Sequence, residues 1–262
     1  MHSSTKIDLC KYPHFQDIFT ILTKEILRFY RTESDPKIPV NELFAVARLA
    51  HKYEMDELLR QAMACFKAYY TSRFDVWDKQ GQLGDVPFDL CERDTPFYAI
   101  GVINLARLTD NISMLPLAFY DCCSLGGRVM QGWTHPDGTV EHLSPEDLER
   151  FIDGSTALTS RAVRAALQLV DQTYCMKSKY SSPCKSACEF MKQKLANRLA
   201  TMRGENALHS YKQLACLAQH LPSVCTACSG ALSQEDLKTR KTIWAELPAL
   251  FGLQLTDWEK AD

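Results

Sequence analysis

Apolar residues recur at three- and four-residue steps along most of this chain, and that spacing is what a helix needs to bury one face. Leu43, Val46, Ala47, Ala50 and Tyr53 form one such stripe, and Leu59, Ala62, Met63, Phe66 and Tyr70 form a second. Asn41 and Asp56 stand where helix caps are expected, and the break at Glu54-Met55 is too short for anything but a helical hairpin. The two-residue alternation of a strand is convincing only at Lys6-Ile7-Asp8-Leu9. The expected fold class is therefore mainly α, with very little β.

Further along, Phe97–Leu108, Asn111–Cys123, Ala187–Leu199 and Ala207–Leu217 carry helical patterns. Gly126-Gly127 is expected to end the second of these, because glycine tolerates a left-handed backbone. Ser144-Pro145-Glu146-Asp147 is the clearest helix start: a capping hydroxyl, a proline at the first helical position, then two acids at the positive end of the dipole. Gly154 is expected to stop that helix, with another over Leu158–Tyr174. His135-Pro136-Asp137-Gly138 reads as a turn, with a small hairpin between Val129 and Val140. The polar stretch from Asp75 to Asp94, with Gly81, Gly84 and Pro87, reads as a linker or irregular segment.

Charge and cysteine usage narrow the function. The 30 Lys+Arg nearly balance the 32 Asp+Glu, so the chain has no broad basic footprint for phosphate backbones or anionic membranes. Nucleic acid is therefore not the expected partner. The cluster Lys177, Lys179, Lys185, Lys192, Lys194, Arg198 and Arg203 reads as a solvated helix face. No apolar run reaches the roughly 18–20 residues of a membrane span, and no signal-peptide core follows Met1. The expectation is an intracellular protein, cytoplasmic or nuclear, with no membrane partner. The 11 cysteines are an odd number and fit a reducing compartment better than a disulfide framework.

Two cysteine pairs are the sharpest chemical constellation: Cys184 with Cys188, and Cys225 with Cys228. Four thiolates satisfy tetrahedral zinc, and each pair delivers two from a short stretch. Their separation exceeds that of compact fingers, so no cofactor is expected and zinc at these four is the alternative. Cys216 and His220 are a second ligand pair one turn apart. Asp121-Cys122-Cys123 lacks a neighbouring general base, and its apolar helix suits buried thiols rather than a nucleophile. His14, His51, His135, His142, His209 and His220 lack protease or hydrolase spacing, and Gly126-Gly127 lacks the lysine and hydroxyl of a phosphate-binding loop. Trp133, Trp244 and Trp258 are not interleaved with basic residues and read as core. No enzyme is expected.

Residues 6–70 resemble the C-terminal half of a BTB (POZ) domain. Ile7-Asp8-Leu9 looks like its strand, Phe15 and Ile18 through Leu27-Arg28-Phe29-Tyr30 like its helix, and Leu49-Ala50-His51-Lys52-Tyr53 like the stretch at its hairpin bend. Phe97-Tyr98-Ala99-Ile100, Leu115–Cys123, Leu143–Asp147, Cys225-Thr226-Ala227-Cys228, Ile243–Leu253 and Trp258 resemble the tail of BTB proteins from mushroom-forming fungi. The resemblance implies a partial BTB domain over 1–75, a linker over 76–95 and a helical C-terminal region over 96–262. It implies that the chain starts inside the domain, without the half that forms the homodimer interface. It further implies a non-enzymatic protein–protein interaction module, an adaptor or scaffold, with a protein partner whose identity it does not give; a cullin-type scaffold is one candidate. The alternative is a zinc-stabilised, nucleic-acid-associated regulator. Leu27, Phe29, Tyr30, Leu43 and Leu49 are expected either to pack on the C-terminal region or to form an exposed apolar patch.

Overall fold

The computed structural model describes residues 38–83, 88–89, 96–171, 183–210 and 226–259. The fold is mainly α. In chain order the regular elements are β1 (Ile38–Pro39), α1 (Val40–Lys52), α2 (Asp56–Tyr69), α3 (Phe74–Leu83), β2 (Phe88–Asp89), α4 (Tyr98–Leu108), α5 (Leu115–Cys122), β3 (Trp133–Thr134), β4 (Val140–Glu141), α6 (Pro145–Asp171), α7 (Pro183–Leu199) and α8 (Thr226–Leu250). The described residues form two compact units, 38–69 with 88–89, and 70–83 with 96–259. The strand expected at Lys6–Leu9 and the helix expected from Phe15 to Tyr30 lie outside the described residues.

In the first unit, β1 pairs in parallel with β2, Ile38 opposite Phe88 and Pro39 opposite Asp89. The strand runs straight into α1, so the helix starts at Val40, one residue before Asn41, and Asn41 does not act as its cap. α1 buries Val40, Leu43, Phe44, Val46, Ala47 and Ala50, while α2 buries Leu58, Ala62, Met63 and Phe66. The rings of Phe44 and Phe66 meet with centroids 4.8 Å apart. Each buried side chain of this size contributes roughly 1.5–3 kcal/mol relative to exposure. At the bend Glu54 adopts φ +54°. That left-handed residue reverses the chain, and Met55 N–H donates to Ala50 O at 2.8 Å across it.

The second unit is built around α5, α6 and α8. α5 is sheathed on nearly every side: Leu115, Leu117, Ala118 and Phe119 are all fully buried. A 3₁₀ turn at Ile112–Met114 precedes it; α5 ends at Cys122 with Cys123 as its C-cap, so Gly126-Gly127 do not end it, and Gly126, at φ +53°, instead opens a 3₁₀ helix over Gly126–Gln131. The start of α6 is as expected, with Asp147 N–H donating to the Ser144 hydroxyl at 3.2 Å. Asp147 itself is buried and takes two hydrogen bonds from Arg107 of α4, at 2.6 and 3.1 Å. This charge-assisted fork ties the first turn of α6 to the last turn of α4. The hairpin lies at Trp133–Thr134 against Val140–Glu141, four residues later on its first arm than expected from Val129. Buried Trp133 marks where the arm begins.

Three further expectations are corrected. Gly154 does not stop α6, which continues unbroken to Asp171. The glycine is needed there because the ring of Phe251 occupies the space a Cβ would take. Residues 76–83 are not a linker or irregular segment but the body of α3. The sequence is polar, yet Phe74 is buried against Trp244 at a 5.7 Å centroid separation and Trp77 packs on the same ring at a tilt, centroids 5.2 Å apart. Finally, no helix begins at Ala207. Residues 204–209 form tight turns bonded i to i+3, with Ala207 N–H to Gly204 O and His209 N–H to Asn206 O. The rest of that expected helix, 211–217, lies outside the described residues.

Candidate functional site

Each helix of the α1–α2 hairpin leaves one face to solvent. Because α1 buries 43, 44, 46, 47 and 50, the positions left to solvent are Glu42, Ala45, Leu49 and Lys52, one every three or four residues. On α2 the same logic exposes Glu57, Arg60, Ala64 and Lys67. Leu49 is the large apolar side chain among these, 37% exposed, whereas Leu43 is fully buried. Leu27, Phe29 and Tyr30, expected to share the fate of these two, lie outside the described residues.

Several charged side chains of the hairpin make local contacts. Glu57 accepts from Arg60 Nε at 2.9 Å and from Gln61 Nε2 at 2.7 Å. Hydrogen bonds from Arg60 and then Gln61 hold its carboxyl down at about 2, well below the usual carboxylate range. The Arg48 guanidinium lies 5.9 Å from the Phe44 ring centroid, and the Lys52 ammonium lies 5.4 Å from that of Tyr53. The exposed positions thus combine the small or apolar residues Ala45, Leu49 and Ala64 with charges of both signs.

The candidate nucleophiles do not form a reactive site. Cys122 and Cys123 are both buried in α5 and the turn after it. Burial pushes both thiols up, with the Cys123 and Asp121 charges adding to the effect at Cys122 and those of Asp121 and Glu205 adding to it at Cys123. Cys123 spends its S–H on the Phe119 carbonyl at 3.4 Å. Cys65, half-buried in α2, is pushed up to about 11 by burial alone. A thiol nucleophile needs the opposite environment, electropositive and partly wet.

Cys225 lies outside the described residues, as do the side chains of Cys184, Cys188 and Cys228 and the pair Cys216 and His220. Among the described residues, no group of three or more histidine, cysteine or acidic side chains could hold a metal ion. His51, at the hairpin bend, is half-buried. His135 is paired through Nε2 with Glu141 at 2.8 Å and packs on the Trp133 ring at 4.1 Å. Trp244 and Trp258 belong to the core of the second unit, as expected from their spacing: their rings stack at 5.1 Å and Trp258 Nε1 donates to Trp244 O. No described helix is long and apolar enough to cross a membrane.

Two features of the second unit went unread in the sequence. Arg240 is buried with Asp236 and Asp78 at 3.1 and 2.6 Å and lies 5.3 Å from the Phe74 ring centroid. Only the i, i+4 relation of Asp236 to Arg240 was legible; Asp78 is 162 positions away. The second feature is a groove between α6 and α8, lined by Arg161, Arg164 and Lys238 among others.

Comparison with protein-family models, with curated proteins and with solved structures found no match.

Proposed function

We propose that this chain is a non-enzymatic protein–protein interaction module of BTB type, an adaptor or scaffold, that docks its partner on the outer face of the α1–α2 hairpin. The observation that carries the reading is the composition of the exposed faces of the two helices: Ala45 and Leu49 with Glu42 and Lys52 on α1, and Ala64 with Glu57, Arg60 and Lys67 on α2. Apolar groups together with charges are the usual make-up of a docking surface, where the apolar groups supply affinity and the charges supply register. The buried thiols at 122 and 123 fit a packing role, which is consistent with a module that works by binding.

By resemblance a cullin-type scaffold is one candidate partner. Calorimetric titration of the full chain with the N-terminal domain of a cullin tests this. Saturable binding that falls at least tenfold in Leu49→Asp supports the reading. Binding that is unchanged in Leu49→Asp moves the interface off the hairpin, and an absence of binding removes the cullin as partner.

A further inference from the structure

α6 and α8 run antiparallel and in a definite register. Arg150 Nη1 donates to Gly252 O at 2.7 Å, Gly154 meets the ring of Phe251, and Arg161 Nε lies 3.0 Å from Glu246 Oε2. Continuing that register places Arg164 and Gln168 across from Thr242 and Thr239. There the helices leave a groove of about 310 Å³. Its depth comes from the short side chains Ala165 and Thr239, over buried Ile243.

The charges around this groove are unevenly satisfied. Arg161 is engaged by Glu246. Arg164 and Lys238 have no carboxylate at ion-pair distance among the described residues, and both are exposed at the groove. Glu235 is the one further carboxylate in the lining, beside Lys238 on α8. From the Arg161–Glu246 pair, Arg164 is three residues along α6 and Lys238 eight residues along α8. At a rise of about 1.5 Å per residue their backbones differ in height by only ~7–8 Å. Two side chains of this length, pointed at one groove from facing helices, can close on a single anion between them. The Gln168 amide and Thr239 hydroxyl supply uncharged donors at the same level, while the Thr242 hydroxyl is already given to Lys238 O at 3.0 Å. The volume is at the small end of ligand sites, and the polar lining does not suit an apolar ligand.

We propose that the α6–α8 groove binds a small ligand through a phosphate- or carboxylate-type oxyanion held between Arg164 and Lys238. This site lies in the second unit and stands whether or not the hairpin docks a partner.

The test is a backbone amide NMR titration of the full chain with inorganic phosphate, and separately with acetate, at ionic strength held constant with chloride. The expected result is saturable shifts confined to residues 161–168 and 235–246. Arg164→Ala/Lys238→Ala should weaken binding at least tenfold, and Thr239→Leu, which fills the groove, should also weaken it. Lys79→Ala, an exposed lysine on α3, should leave it unchanged. Saturation by phosphate at lower concentration than acetate assigns a phosphate ligand, and the reverse assigns a carboxylate. Shifts that never saturate, that spread over the surface, or that persist in the double variant overturn the proposal.

Discussion

Gly154 lies in the middle of α6 with the ring of Phe251 where its side chain would be. Phe251 stacks in turn on Phe119 of α5, with centroids 5.1 Å apart. The absence of one Cβ therefore lets three segments, distant in sequence, share a single buried contact. Alanine is about 1 kcal/mol better than glycine inside a helix, so helix propensity alone predicts that Gly154→Ala stabilises the chain. The packing predicts the reverse: overpacking costs roughly 1–3 kcal/mol, which leaves a net loss of up to about 2 kcal/mol after the propensity gain. Urea denaturation decides the sign. A double-mutant cycle with Phe251→Ala should show strong coupling, because removing the ring frees the space.

Arg240 and Lys241 are neighbours on α8 with opposite expected consequences. Arg240 is buried with two carboxylates, and Asp236 is buried with it. Removing one partner of a buried pair leaves the others uncompensated, at a cost of roughly 3–5 kcal/mol. Lys241 is 39% exposed and lies 3.4 Å from Asp75, itself 54% exposed. Exposed pairs of that kind contribute about 0–1 kcal/mol. Arg240→Ala should therefore shift the denaturation midpoint far more than Lys241→Ala. Equal shifts would mean that α3 is not held by this clamp.

Glu57 gives a pH signature for the hairpin. Its folded carboxyl titrates at about 2, below the ordinary 4.5. A group depressed on folding contributes stability that is present above its unfolded value and is lost as pH falls through the folded one. The window is therefore about pH 4.5 down to about 2, and the contribution is small because the group is fully exposed to solvent. Arg60→Ala should raise the Glu57 value toward the ordinary range in a carboxyl-detected NMR titration. An unmoved value would show that Arg60 does not set it.

The chemistry at Cys122 and Cys123 should be silent in the folded state. Both thiols are buried, and burial pushes both up. Alkylation of the native chain followed by peptide mapping should leave them unmodified, with full labelling after unfolding. Rapid native labelling of either would reopen the nucleophile reading.

What was legible in the sequence was whatever is decided locally. Ser144 and the residues after it announce the start of α6 because a cap needs only its own next turn. The bend between α1 and α2 was legible for the same reason. Gly154 and α3 were not, since the partners that decide them are Phe251, 97 positions on, and Trp244, about 170 positions from Phe74. A polar stretch such as Asp75–Leu83 becomes a helix when two aromatics at its start find a distant ring. On the candidate interaction face, the positions open to solvent followed from the apolar stripes. The hydrogen bonds of Glu57 with Arg60 and Gln61 depend on one side-chain arrangement, which spacing does not specify.

The outer face of the hairpin is most directly tested by placing a photo-reactive amino acid at position 49 of the full chain in living cells, with position 167 as control. Leu167 is more exposed than Leu49, at 47% against 37%, but lies on α6 in the second unit. A docking role predicts one discrete adduct from position 49, lost when Glu42 and Lys52 are changed to residues of opposite charge, and absent from position 167. Equal labelling from both positions, or an adduct at 49 indifferent to those charges, would contradict it.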